Sequence, residues 1–88
     1  MKLIVDVPCI GLIRHYRKRL QLLGFKIIIP WCYFKNDEWL KKLAERENAI
    51  IVTYDKDFIG YDRAIVLTQH KRYEEQITEL FKKLRGKE

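Results

Sequence analysis

The sequence predicts an α/β fold in which helices cover both faces of a short, mainly parallel four-stranded sheet. Three observations carry this expectation. Apolar runs alternate with helical spacings in the order β-α-β-α-β-β-α. Three of the runs, KLIV, FKIII and AIIVT, are four or five residues long and lack polar alternation, the pattern of strands buried on both faces. The chain has 88 residues, enough for one core, so residues 1–88 read as one domain.

Lys2–Val5 is the first strand and ends at Asp6, after which Pro8 and Gly11 bracket a turn. Apolar positions at Ile10, Ile13, Tyr16 or Arg17, Leu20 and Leu23 predict one helix, and Gly24 stands at the C′ position. Phe25–Ile29 is the second strand, closed by Pro30, and Trp31–Lys35 is a loop. Asn36 then caps a helix over Asp37–Glu47, whose stripe is Trp39, Leu40, Leu43 and Ala44. Ala49–Thr53 is the third strand. A loop with Asp55, Asp57, Gly60 and Asp62 leads to a fourth strand at Ala64–Leu67. The last helix covers Lys71–Leu84 with its stripe at Tyr73, Ile77, Leu80, Phe81 and Leu84, and a charged tail follows.

Lysine and arginine number 18 against 12 acids, a net charge of +6. That balance favours a polyanionic partner, nucleic acid above all, with plain solubility as the alternative. No apolar run is long enough to span a bilayer, and Asp6 interrupts the first apolar stretch, so a cytoplasmic location is expected. The two cysteines, Cys9 and Cys32, lie outside any CxxC motif and exclude a conventional zinc site. Reduced thiols are expected, although a bond between them is geometrically possible.

In an open parallel sheet, ligands bind outside the carboxyl ends of the strands. A 2-1-3-4 order makes the first and third strands neighbours and brings Asp6 and Asp55 to one edge. Asp37 or Glu38 in the second helix's first turn, and Asp57, reach the same edge. Clustered carboxylates repel unless some protonate or a cation joins them. An oxygen-only set suits Mg²⁺ or Mn²⁺, which support phosphodiester displacement. Each acid also has a plainer reading: Asp37 and Glu38 complement a helix N-terminus, and Asp57 is a turn residue beside Asp55. Asp6 shows no local capping task.

The first helix carries Arg14, His15, Arg17, Lys18 and Arg19. Arg14 and Lys18 share a face with Arg17 adjoining, either guiding an RNA backbone or simply facing solvent. His15 is a candidate for proton transfer. Trp31, Tyr33 and Phe34 could stack on unpaired bases, but packing or a homodimer contact suits them better, and Trp39 is expected in the core.

VTYDKDF at 52–58 resembles the strand-end motif of a compact family of PIN-like nucleases, in which V-T-x-D-x-D-F is usual. IVD at 4–6 is similar to that family's first strand end, and NDEWLKKLA at 36–44 to its middle acidic helix start. The resemblance spans residues 2–67. It implies a Rossmann-like three-layer α/β/α fold, metal-dependent endoribonuclease activity on RNA, and a toxin–antitoxin setting with an antitoxin protein as partner. Asp6, Asp37, Asp55 and Asp57 are then catalytic. Thr53 is a supporting hydroxyl, and Asp6, Asp55 and Asp57 are the expected metal ligands. Independently of the resemblance, the charged face of the first helix offers Arg14, Arg17 and Lys18 as RNA contacts. One departure is plain: the family continues its first motif as D-E-N-L-P, where this chain has Val7 and Pro8. A degenerate PIN-like module that binds nucleic acid or protein without cleavage is therefore the alternative. A receiver-like signalling domain fits less well, since it expects an acid pair at the first strand.

Overall fold

The computed structural model describes residues 1–30 and 37–87. Its strands are β1 (Lys2–Val5), β2 (Lys26–Ile28), β3 (Ala49–Thr53) and β4 (Ala64–Val66). Its helices are α1 (Ile10–His15), α2 (Arg17–Leu22), α3 (Asp37–Glu47) and α4 (Tyr73–Arg85), with 3-10 turns at Val7–Cys9 and Lys56–Phe58. The four strands form one sheet in the order β2-β1-β3-β4, and every pairing is parallel. The fold is therefore α/β, as the apolar runs imply. The loop with Trp31, Cys32, Tyr33 and Phe34, and the Asn36 cap, lie outside the described residues.

Strand alternation sorts the core into two halves. Leu3, Val5, Val52 and Ile65 point to one face and pack with Leu12, Ile13 and Leu20 of α1 and α2 and Ile77, Leu80 and Leu84 of α4. Ile4, Ala49 and Ile51 point to the other and meet Leu40 and Ala44 of α3, together with Phe58. Both faces of the central strands are thus dry, which is why they show no polar alternation. Right-handed crossovers account for the split. The chain steps one way from β1 to β2 and the other way from β2 to β3, so the intervening helices fall on opposite faces. Residues 54–63 join β3 to β4 in parallel with a single 3-10 turn in place of an α-helix, and Phe58 and Tyr61 cover the α3 side. At the open edge of β4, Lys83 Nζ donates to Val66 O at 2.7 Å, and charge there discourages pairing with another strand.

Several expectations change in detail. The single helix after Asp6 is two short ones, broken at Tyr16 (φ −108°, ψ 15°). Apolar spacing continues across the break because Ile13 and Leu20 still point inward, so periodicity does not register it. Gly11 lies inside α1, not in a turn; a Cβ there would come within 2.7 Å of the Tyr73 hydroxyl, where α4 approaches. Gly24 does act as the left-handed C′ residue (φ 93°). Phe25 N donates to Leu20 O and Gly24 N to Gln21 O, both at 3.0 Å, the pair of bonds that closes a Schellman end. Trp39 is not in the core but 39% exposed, while Leu40 and Ala44 carry the α3 contact. In α4, Tyr73 is 43% exposed, and Gln76, absent from the expected stripe, is buried.

Burial predicts a sharp contrast between two leucines. Leu80 is fully buried and Leu22 is 87% exposed. In urea unfolding, Leu80→Ala is expected to cost about 2–5 kcal/mol. Leu22→Ala should stay within about 0.5 kcal/mol of the parent.

Candidate functional site

β1 and β3 run side by side with Val5 opposite Val52, and Asp6 N extends the ladder to Val52 O at 3.0 Å. That register sets Asp6 beside Thr53 at the carboxyl rim. Thr53 is fully buried, and its hydroxyl donates to Asp6 Oδ2 at 2.8 Å. The same oxygen accepts the Asp55 N–H at 3.0 Å. A hydroxyl has one proton to give, so these two bonds fix its direction and lock the two strand ends together. Asp6 also has the capping task that the sequence did not reveal: Oδ1 accepts from Val7 N at 3.0 Å and starts the 3-10 turn at Val7–Cys9. That turn is invisible to apolar periodicity because it is a single turn around Pro8.

Asp55 caps the second 3-10 turn in the same manner, its Oδ1 accepting from Asp57 N at 2.9 Å. Phe58 closes the turn from beneath; it is 1% exposed and packed against the α3 face of the sheet. The motif DKDF therefore works as a bent arm, with its aromatic anchored and its two carboxylates left at the surface. α3 brings Asp37 toward them from the other side. One carboxylate oxygen from each of Asp37, Asp55 and Asp57 lies within 4.8 Å of the others. Glu38 is not in that group.

The electrostatics follow from this crowding. The Asp37 carboxyl is pushed above the usual aspartate range, first by loss of hydration and then by the charges of Asp55 and Asp57, with Asp6 adding to them. Lys41, one turn along α3, opposes the rise. Its ammonium also lies 5.8 Å from the Phe58 ring centre and 5.1 Å from that of Tyr61, close enough for cation–π attraction. Mutual repulsion among three carboxylates and an oxygen-only donor set are what a hard divalent cation would relieve, so these residues fit one.

Other residues singled out above fall differently. Arg14, Arg17 and Lys18 are all exposed, on either side of the break at Tyr16. The His15 ring packs edge-on against Tyr16 at 4.8 Å and tilted against Tyr73 at 5.7 Å. Cys9 is a free, buried thiol pushed up to about 12, chiefly by burial and then by the charge of Asp6, with a Tyr54 hydrogen bond working against them. At that value it is inert as a nucleophile. Its possible partner, Cys32, lies outside the described residues.

Sequence reasoning missed the support behind Asp55. The Tyr54 hydroxyl donates to Gln76 Oε1. Gln76 Nε2 donates in turn to Lys71 O at 2.8 Å and Gln69 O at 3.3 Å. A buried amide thus ties the residue next to Asp55 to the segment that leads into α4. The available signal was a glutamine at the inward spacing of Tyr73, Ile77 and Leu80, where a polar residue must find partners.

Over residues 1–88 the sequence matches the family model described as Mut7-C RNAse domain. No curated protein and no solved structure matches it. The Thr53 geometry leads to a testable expectation. Thr53→Val keeps the shape but leaves the Asp55 N–H and one Asp6 oxygen without their partner. Urea unfolding should show a loss of about 1–3 kcal/mol, most of it recovered by Thr53→Ser, which restores the hydroxyl.

Proposed function

Because the chain belongs to the Mut7-C RNAse domain family, we propose that it is an endoribonuclease that hydrolyses RNA phosphodiesters with Mg²⁺ or Mn²⁺ at the carboxyl rim of its sheet. The observation that carries this reading is the approach of Asp37, Asp55 and Asp57 to within 4.8 Å, next to the linked pair Asp6 and Thr53. The PIN-like spacing of IVD, NDEWLKKLA and VTYDKDF supports the same assignment. Asp55, Asp57 and Asp37 would hold the cation. Asp6 retains lone pairs after accepting from Val7 and Thr53 and can join them. The chemistry such a cation supplies is activation of a water and neutralisation of charge on the phosphodiester. Thr53 fixes the orientation of Asp6 and the backbone at Asp55. Arg14, Arg17 and Lys18, on the helices that follow Asp6, would meet the RNA backbone.

A second reading has one observation in its favour. Val7 and Pro8 occupy the positions where the PIN-like motif carries an acid and an amide, and Asp6 turns one oxygen to capping Val7 N. The module would then bind RNA without cutting it.

Incubation of the purified protein with end-labelled single-stranded RNA and Mn²⁺ separates the two. The nuclease reading expects cleavage that falls to background in Asp55→Asn and Asp37→Asn. In Thr53→Val, which disturbs a positioning residue, it expects a fall of roughly ten- to hundredfold. RNA retention without any cleavage by the parent protein would establish the binding module instead.

The cation itself has a separate readout. Mn²⁺ should raise the unfolding temperature of the parent protein and not that of Asp55→Asn, since a ligand bound only by the folded chain stabilises it. Protons compete with the cation for the carboxylates. Asp37 has a raised folded-state value, so it takes up its proton at higher pH than an ordinary aspartate. The Mn²⁺-induced shift should therefore fade on acidification earlier than for an unperturbed aspartate, and thermal melts across a pH series measure it.

A further inference from the structure

The helices that follow β1 and β4 start at the carboxyl rim and run to the opposite, amino rim of the sheet. The end of α2 and the end of α4 meet there around a groove of about 640 Å³. Leu22, Leu23, Phe25 and Phe81 line it, and Arg19 and Arg85 flank it. Leu22 is 87% and Leu23 60% exposed, and neither belongs to the two core clusters. The two phenylalanines are half-buried against the first of those clusters. Isolated exposed leucines are ordinary, but adjacent ones continuous with two aromatic side chains form a patch of the kind that marks an interaction site.

We propose that this groove docks a leucine-rich amphipathic helix of another protein whose apolar face is bordered by carboxylates. Charge selects that occupant. Among the described residues, the ionisable ones lining the groove are Arg19 and Arg85, and none is an acid. A second copy of this chain packed about a two-fold axis would set the same arginine-flanked surface against itself, like charge facing like. Single-stranded RNA gains its affinity at such sites by stacking on open ring faces. Here the most open side chains are aliphatic, and the rings lean on the core. The groove lies at the rim away from Asp6, Asp37, Asp55 and Asp57, so an occupant leaves them uncovered. The inference stands whether or not those acids hold a cation.

A fluorescently labelled helical peptide of repeating Leu-Glu-Glu-Leu character, its lysine counterpart and a version with dispersed leucines test the proposal by anisotropy. The glutamate peptide should bind the parent protein, and the other two should not. Affinity should fall at least about tenfold in Leu22→Ser/Leu23→Ser, both sites being exposed enough to change without unfolding the chain. Arg19→Glu/Arg85→Glu should reverse the preference toward the lysine peptide. Lys42→Gln/Arg46→Gln, on the opposite face of the sheet, should leave binding unchanged. Equal binding of all three peptides, or indifference to both groove variants, overturns the proposal. So does a concentration-dependent dimer in sedimentation that Leu22→Ser/Leu23→Ser abolishes, which would make the occupant a second copy. Displacement of the peptide by single-stranded RNA, with RNA binding itself weakened in that variant, overturns it in favour of a nucleic-acid groove.

Discussion

The Thr53 hydroxyl is the hinge on which the rest of the site depends. It is wholly buried where two parallel strands end, gives its proton to Asp6 and takes one from the backbone of Asp55. Neither carboxylate is placed by its own strand alone. Each is placed relative to the other through an oxygen that water cannot reach. In a dry setting such bonds are hard to exchange, and this gives two short loops a definite geometry at the surface of a small domain.

That arrangement requires a parallel sheet whose strand order reverses. The chain leaves β1 toward one edge and β3 toward the other, so the connections diverge from adjacent strands and a crevice opens between them. Asp6 and Asp55 border the crevice because Val5 is in register with Val52. Asp37 reaches it because α3 returns across the opposite face and begins at the same rim. The Phe58 anchor then keeps the DKD turn folded back over the sheet, so that its acids confront Asp37 and are not splayed into solvent. The Asp37 carboxyl, raised first by lost hydration and then by the charges of Asp55 and Asp57, bears the cost of that convergence.

The two rims of the sheet present opposite chemistries. At the carboxyl rim, acids crowd one another in a molecule whose overall charge is strongly positive. At the amino rim, apolar side chains are bordered by arginine. The division follows from topology: parallel strands send every helix from one rim to the other, so strand-end residues collect at one and helix-end residues at the other. A helical C-terminus carries partial negative charge, which makes the last turns of α2 and α4 favourable places for Arg19 and Arg85.

How much of this was legible in the chain depends on the kind of signal. β3 and α3 were readable residue for residue, because AIIVT has no alternative to a doubly buried strand and DEWLKKLAERE carries its stripe at helical spacing. The acids at strand ends were readable as candidates, since a charge immediately after an apolar run is conspicuous. The break at Tyr16, the outward turn of Trp39 and the inward turn of Gln76 were not. Periodicity reports which side of an element is apolar on average, while a single dihedral departure or a buried amide is decided by neighbours distant in sequence. The sequence by itself determined the α/β class and the segments that build the sheet, because burial on two faces demands apolar residues wherever it occurs. Only the tertiary structure decided that Asp6 caps a turn, that Thr53 joins it to Asp55, and that Asp37 stands near Asp57. The last two relations cross 20 to 49 residues of chain, and they exist only once strand register and helix placement have fixed them.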